Sequence, residues 1–214
     1  MLKKLFFSIL FVAATFPASA QYLTGGLGDI EPVKGNSAVL KYAVKAGANF
    51  TTVSSSLEGM DFSMGAGFQV GAALNIRWGY RTEFSRPGTG ILGFQPELLY
   101  SNQSVGLSDG NNLVMNRIAV PLMLKAYPIS SVYVELGPEI SYLFGTSPDA
   151  VTVASSVYSV GECSGLATDI ALGTGWESKK GFTVGLRYSL GVTALAKNLP
   201  WKTHNFSLAV GWMF

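Results

Sequence analysis

The chain has 214 residues, 48% of them hydrophobic and only 13% charged, with a formal charge of +2, one cysteine and one histidine. Soluble domains carry about 25% charged residues, so this chain is short of solvating side chains. Its near-neutral balance excludes the basic surface of a nucleic-acid binder, and a lone histidine with a lone cysteine excludes a His/Cys metal site.

The first twenty residues, "MLKKLFFSILFVAATFPASA", have a charged start at Lys3 and Lys4, an apolar stretch from Leu5 to Phe16, and the small-residue pattern Ala18-Ser19-Ala20. This predicts a secretory signal peptide over 1–20, cleaved after Ala20; the apolar stretch is too short for a spanning helix. Gln21 follows rather than cysteine, which argues against a lipid-modified N-terminus. Loss of Lys3 and Lys4 brings the formal charge of +2 to zero. Residues 21–40 carry Gly and Pro without periodicity and read as a flexible periplasmic leader.

From residue 41 to 214 the period is two. Eight segments alternate in chain order: 41–50, 67–78, 91–101, 117–127, 132–144, 167–176, 182–192 and 205–214. The clearest is "FTVGLRYSLGV", with Phe182, Val184, Leu186, Tyr188, Leu190 and Val192 on one face, and the last is "NFSLAVGWMF". Each reaches or approaches the roughly 9–11 residues of a tilted bilayer-crossing strand. Eight is the smallest strand number of bacterial outer-membrane barrels. The fold class predicted is all-β: an eight-stranded antiparallel transmembrane barrel of up-and-down order, following the signal peptide.

The connectors mostly alternate in length. "YPISS" (127–131) and "ESKK" (177–180) are short, whereas 51–65, 102–112, 145–165 and 194–203 are long. Short periplasmic turns and long outer loops are the rule in these barrels, which puts both chain ends on the periplasmic side. The connector 79–90 is long for a periplasmic turn and breaks the alternation.

A soluble sandwich also buries one face of each strand. The export signal, an apolar face in all eight segments and the sorting of aromatics by height favour the membrane barrel. Trp78, Trp176, Phe182, Trp212 and Phe214 fall at the periplasmic end. Phe50, Tyr100, Tyr142, Phe144 and Phe206 fall at the outer end. Two such girdles mark the two interfaces.

The opposite face is rich in Gly, Ala, Ser and Gln and carries Lys45, Arg77, Arg117, Lys125 and Arg187 against Glu97, Glu135, Glu139 and Asp169. An eight-stranded lumen is filled by side chains, and unpaired charges there are costly, so an interlocked ion-pair network is expected. A plug that holds the strands in register is preferred over an ion path.

Chemical motifs are sparse. "GAGFQVG" (65–71) lacks the strand–helix context of a dinucleotide loop. His204 has Ser207 three residues on, but strand residues three apart point to opposite faces, so those two cannot form a nucleophile–base pair. No catalysis, cofactor or metal is expected. Cys163, in the connector 145–165, reads as an incidental loop thiol rather than an intermolecular bridge. Loops 51–65 and 145–165 hold Glu58, Asp61, Asp149 and Glu162, whereas "AKNLPWKTHN" carries Lys197, Trp201 and Lys202. Loops on a rigid scaffold commonly carry function, but plain solvation is the preferred account of these charges.

Several stretches resemble the PorT-like outer-membrane β-barrel family common in Bacteroidetes: "KAGANFTTV" (45–53), "GFQPELLYSNQ" (93–103), "RIAVPLMLKAYP" (117–128), "YVELGPEISYLF" (133–144), "GLRYSLGVTAL" (185–195) and the closing "FSLAVGWMF". The resemblance implies an eight-stranded barrel in contact with outer-membrane lipid. It also implies insertion by the outer-membrane assembly machinery through the C-terminal strand, and no shared activity. The expectation is a non-enzymatic integral outer-membrane protein with a structural or interaction role through loops 51–65, 145–165 and 194–203. The other readings are an accessory part in secretion or envelope assembly, a lipid-modifying enzyme at the rim, and a narrow pore. Protein partners at the loops are not specified.

Overall fold

A computed structural model describes residues 38–54, 63–78, 90–107, 112–148, 150–153, 156–159, 165–193 and 202–214. The expected signal peptide, the leader as far as 37, most of the connector 79–90 and Cys163 lie outside the described residues.

The strands are β1 (Val39–Ser54), β2 (Ser63–Trp78), β3 (Leu92–Gly106), β4 (Asn112–Ile129), β5 (Val132–Ser147), β6 (Ala150–Val153), β7 (Ser156–Ser159), β8 (Gly165–Glu177), β9 (Phe182–Gly191) and β10 (Lys202–Met213). Eight of them close into one barrel in the order β1-β10-β9-β8-β5-β4-β3-β2, every pair antiparallel. The small strands β6 and β7 pair with each other as a separate hairpin inside the connector 145–165. That hairpin was not anticipated from the periodicity.

The barrel strands outrun the apolar alternation at both ends. β1 takes in Val39 and Leu40 from the expected leader and runs up to Ser54, β3 extends to Gly106, and β4 begins at Asn112. Ladder hydrogen bonds join main chains whatever the side chains, so pairing continues through polar residues beyond the apolar belt. The turn between β4 and β5 thereby shrinks to Ser130 and Ser131, and Glu177, read as the first turn residue of "ESKK", is the last residue of β8. Between β8 and β9 the chain reverses through Ser178–Gly181. There Gly181 N–H donates to Ser178 O at 3.0 Å, Ser178 N–H donates to Phe182 O at 2.7 Å, and Gly181 takes a φ of 102°, a left-handed conformation that glycine adopts without a Cβ clash.

The alternation divides the two faces cleanly. Along β8, Ile170, Leu172 and Trp176 face outward and are exposed, whereas Asp169 and Ala171 are buried inside. Val44, Val70, Leu98, Leu136, Leu186, Leu208 and Val210 continue the exposed apolar belt around the barrel. An apolar band this continuous is an interaction surface, and on a closed barrel it suits hydrocarbon. Inside, Ala43, Ala73 and Met213 pack together at the end that holds the outer termini of β1 and β10, here the terminal end. Val105, Leu113 and Met115 are fully buried toward the opposite, distal end.

The belt makes a direct prediction. Leu172→Arg, in the middle of the outward face, should destabilise the barrel in lipid vesicles by about 2–4 kcal/mol, measured from urea unfolding of the heat-modifiable folded form. An unchanged midpoint would show that this face does not meet lipid.

Candidate functional site

The lumen holds the charged residues singled out above, and closure brings most of them into one layered assembly. At its centre, Arg187 of β9 donates from Nη1 and Nη2 to Glu97 Oε2 and Oε1 of β3, each at 2.9 Å, and from Nε to Glu135 Oε1 of β5 at 2.8 Å. This is a bidentate fork with a second carboxylate on its flank, a strong and directional arrangement for a guanidinium. Lys45 Nζ donates to Glu97 Oε1 at 2.8 Å, and Gln95 Nε2 donates to the same oxygen at 2.6 Å. Glu97 thus gathers β1, β3 and β9 onto one carboxylate.

Toward the terminal end, Lys125 Nζ donates to Glu177 Oε1 at 3.0 Å and sits 3.5 Å above the Tyr133 ring. Tyr127 donates to the same oxygen at 3.1 Å and accepts from Asn75 Nδ2 at 3.1 Å. Arg77 stacks 3.5 Å over the Tyr127 ring, donates from Nε to Gly90 O at 2.7 Å, and lies 3.9 Å from Glu177. Two cations over the faces of two buried tyrosines gain cation–π attraction beside their ion pairs.

Toward the distal end the packing of charge is looser. Arg117 Nη1 stands 3.8 Å from Asp169, and its Nη2 donates to Met115 Sδ at 3.6 Å. Its Nε has no hydrogen-bond partner among the described residues. Glu139, paired in register with Asp169, accepts from Ser189 Oγ at 3.3 Å and makes no ion pair within 4.0 Å among the described residues. The expected network of nine is therefore a tight core with a loosely coupled distal trio.

Glu177 is the member that sequence reasoning missed, because it was assigned to a turn. Its parity carried the signal: Asp169, at the other end of the same alternation, is an even number of residues away and faces the lumen. With Glu177 included, the described lumen holds five cations (Lys45, Arg77, Arg117, Lys125, Arg187) and five carboxylates (Glu97, Glu135, Glu139, Asp169, Glu177).

Glycines make room for these large groups. A Cβ on Gly173 would lie 2.8 Å from Glu135 Oε1, and one on Gly185 would lie 2.7 Å from the Tyr133 hydroxyl. The small residues of the inner face are thus the space that the ionic side chains occupy.

On the outer face, the ten aromatics expected at the interfaces all point outward. Phe50 pairs with Phe206 and Trp212 with Phe182 in register. Trp176 meets Phe182 at 6.4 Å, and Phe68, Tyr100 and Phe144 form a run with centroids 5.7 and 6.3 Å apart. Tyr142, Trp78 and Phe214 also face outward, with Phe214 N–H donating to Tyr42 O at 2.7 Å. Tyr188, left out of the expected girdle, lies 4.8 Å from Phe206. Ser207 is buried in the lumen while His204 faces outward, where its nitrogens contact Ser54 and Tyr188 instead. Among the described residues no group of three or more His, Cys, Asp or Glu is placed to hold a metal ion.

The shared carboxylate predicts strong coupling. Glu97→Ala should cost about 3–5 kcal/mol, because it takes the carboxylate from Lys45 and leaves the buried Arg187 with Glu135 alone. Combined with Arg187→Met it should cost clearly less than the two changes added separately. Denaturant midpoints of the four proteins test this, and strict additivity would show that the fork carries no energy.

The model for the outer membrane protein beta-barrel domain family matches residues 34–197. No curated protein sequence matches the chain. Among solved structures it is similar to Ail, the attachment invasion locus protein of Yersinia pestis, with 14% identity over 81% of this chain and 98% of that one and a TM-score of 0.44. Neisserial surface protein A (NspA) gives 16% identity over 81% and 97% with a TM-score of 0.45. OprG of Pseudomonas aeruginosa gives 10% over 81% and 95% with a TM-score of 0.38. The chain belongs to the outer membrane protein beta-barrel domain family and is an integral protein of the outer membrane.

Proposed function

We propose that this protein is a closed scaffold of the outer membrane whose lumen is sealed by its own side chains and whose role is structural or interaction-based, exercised through the distal loops. One observation carries the reading: the Arg187 guanidinium lies across the middle of the lumen, held by Glu97 and Glu135 from two other strands. Fixed, mutually neutralised charges across the lumen of an eight-stranded barrel leave no wide aqueous path. The distal end is then extracellular, and both strand termini at the seam face the periplasm. The paired hairpin β6–β7 within the connector 145–165 gives that loop regular structure of its own, as suits a surface that presents itself to a partner.

Within the family, the stretches "QPELLYS" and "IAVPLMLKAY" favour the PorT-like group. The N-terminal twenty residues act as a cleaved export signal. The closing strand, with Trp212 and Phe214 outward, is the segment that the assembly machinery engages.

Two measurements test these proposals. In planar bilayers the purified barrel should give no stable open steps; regular steps of nanosiemens size would refute the sealed lumen. Deleting Phe214 should lower the amount of folded protein in the membrane while leaving the unfolding midpoint of the assembled fraction nearly unchanged. Normal membrane levels of the deletion would remove the proposed role of the closing strand.

A further inference from the structure

Strands β1, β9 and β10 run side by side at the distal end of the seam, and there three outward side chains are joined. His204 Nε2 lies 3.0 Å from Ser54 Oγ, and its Nδ1 lies 2.6 Å from the Tyr188 hydroxyl. The imidazole stacks on the Tyr188 ring at 6.1 Å and 28°. Lys202 is the register partner of Ser54, so it shares the outward face, and it is exposed. A hydroxyl in hydrogen-bond reach of an imidazole, itself fixed by a third group, is the arrangement that activates a nucleophile. The partner excluded from the sequence, Ser207, faces the lumen. The partner found comes from a strand 150 residues away.

We propose that Ser54, His204 and Lys202, with Tyr188 as a positioning residue, form a site that hydrolyses carboxylic esters of acylated membrane lipids. This goes beyond the scaffold reading and adds an activity to a barrel expected to have none. Only the assignment to the outer leaflet rests on the orientation given above.

The height of the group selects the substrate. Phe50 and Phe206 are opposite each other in the aromatic ring, and His204 and Lys202 follow two and four residues further along β10. At about 3.4 Å per residue and a tilt of about 40°, these lie roughly 5 and 10 Å beyond that ring. That is the layer of ester linkages and headgroups just outside the hydrocarbon. An acyl chain would lie along the exposed apolar belt formed by Phe206, Leu208 and Val210.

The chemistry closes with these groups and water. With the Tyr188 oxygen accepting from Nδ1–H, Nε2 presents its lone pair to Ser54. Ser54 Oγ bonds to the ester carbonyl carbon while its proton passes to Nε2. The Lys202 ammonium opposes the charge that develops on the carbonyl oxygen. Collapse breaks the acyl–oxygen bond, and the imidazolium returns its proton to the departing lipid alcohol. Water, giving its proton to His204, then attacks the acyl-serine. A second collapse restores Ser54 with that proton and releases the fatty acid.

The test uses the chain folded in detergent micelles, with folding verified by heat-modifiable mobility. Two probes are offered, a diacyl glycerophospholipid and an acylated glucosamine disaccharide lipid, and fatty-acid release is followed by mass spectrometry. A fluorophosphonate, which labels activated serines, is located by peptide mapping. Release from either lipid, with the label on Ser54, supports the site, and the lipid that is cleaved identifies the source of the ester. Ser54→Ala and His204→Gln should lower release about 100-fold or more and abolish labelling. Lys202→Met should lower kcat about tenfold, the equivalent of one lost interaction of about 1.4 kcal/mol in the transition state. Tyr188→Phe keeps the stacked ring and removes the oxygen; it should lower kcat and shift the acid limb of the pH profile. Ser207→Ala should behave as the parent. A folded parent that releases no fatty acid and takes no label overturns the proposal, as does equal release by parent and Ser54→Ala.

Discussion

The seam between β1 and β10 pairs twelve residues in unbroken register, from Ala43↔Met213 to Ser54↔Lys202, and the rest of the molecule depends on it. In hydrocarbon there is no water to satisfy a free edge of N–H and C=O groups, so a sheet crosses the membrane only if it closes on itself. Closing the first strand on the last makes one ring of eight strands. It also fixes which residues from distant parts of the chain face each other across the lumen and along the outer surface.

Closure at this strand number creates a second requirement. The interior is wide enough for side chains and too narrow for bulk water, so whatever points inward must satisfy itself. The chain meets this by alternating very small and very large residues. Gly173 and Gly185 leave space that Glu135 and Tyr133 fill, and Arg187 bridges carboxylates from β3 and β5 that no single hairpin could bring together. Buried ion pairs contribute modestly to net stability against apolar packing. Their more useful property here is directional: the fork from Arg187 to Glu97 is satisfied in one register of the strands and broken by a slip of one residue, which would turn the slipped strand's inward charges toward lipid.

Much of this was legible in the chain because the period-two signal is local. The outward faces of all eight segments, with their aromatics, and nine of the inward charges follow from alternation alone. Strand length was not legible, because pairing past the belt through Thr51, Thr52 and Ser54 is a main-chain matter with no apolar marker. Glu177, just beyond the last apolar marker of β8, reads as a turn residue for the same reason. The partners inside the lumen could not be read either: Arg187 and Glu97 are 90 residues apart, and only the closed register says that they meet. The same holds at the rim, where His204 finds Ser54 through the seam and could not find it by proximity in sequence. The hairpin β6–β7 escaped notice because strands of four residues are too short to establish a period.

The division of the lumen charges along the barrel axis has an electrical consequence. The tight core and terminal layer hold Lys45, Arg77, Lys125 and Arg187 against Glu97, Glu135 and Glu177, one positive charge in excess. The distal trio sets Arg117 against Glu139 and Asp169, one negative charge in excess. The interior is neutral in total yet polarised end to end, like two oppositely doped layers in contact. The side chains proposed to seal the lumen sterically are thus the same ones that set two layers of opposite formal charge across its length.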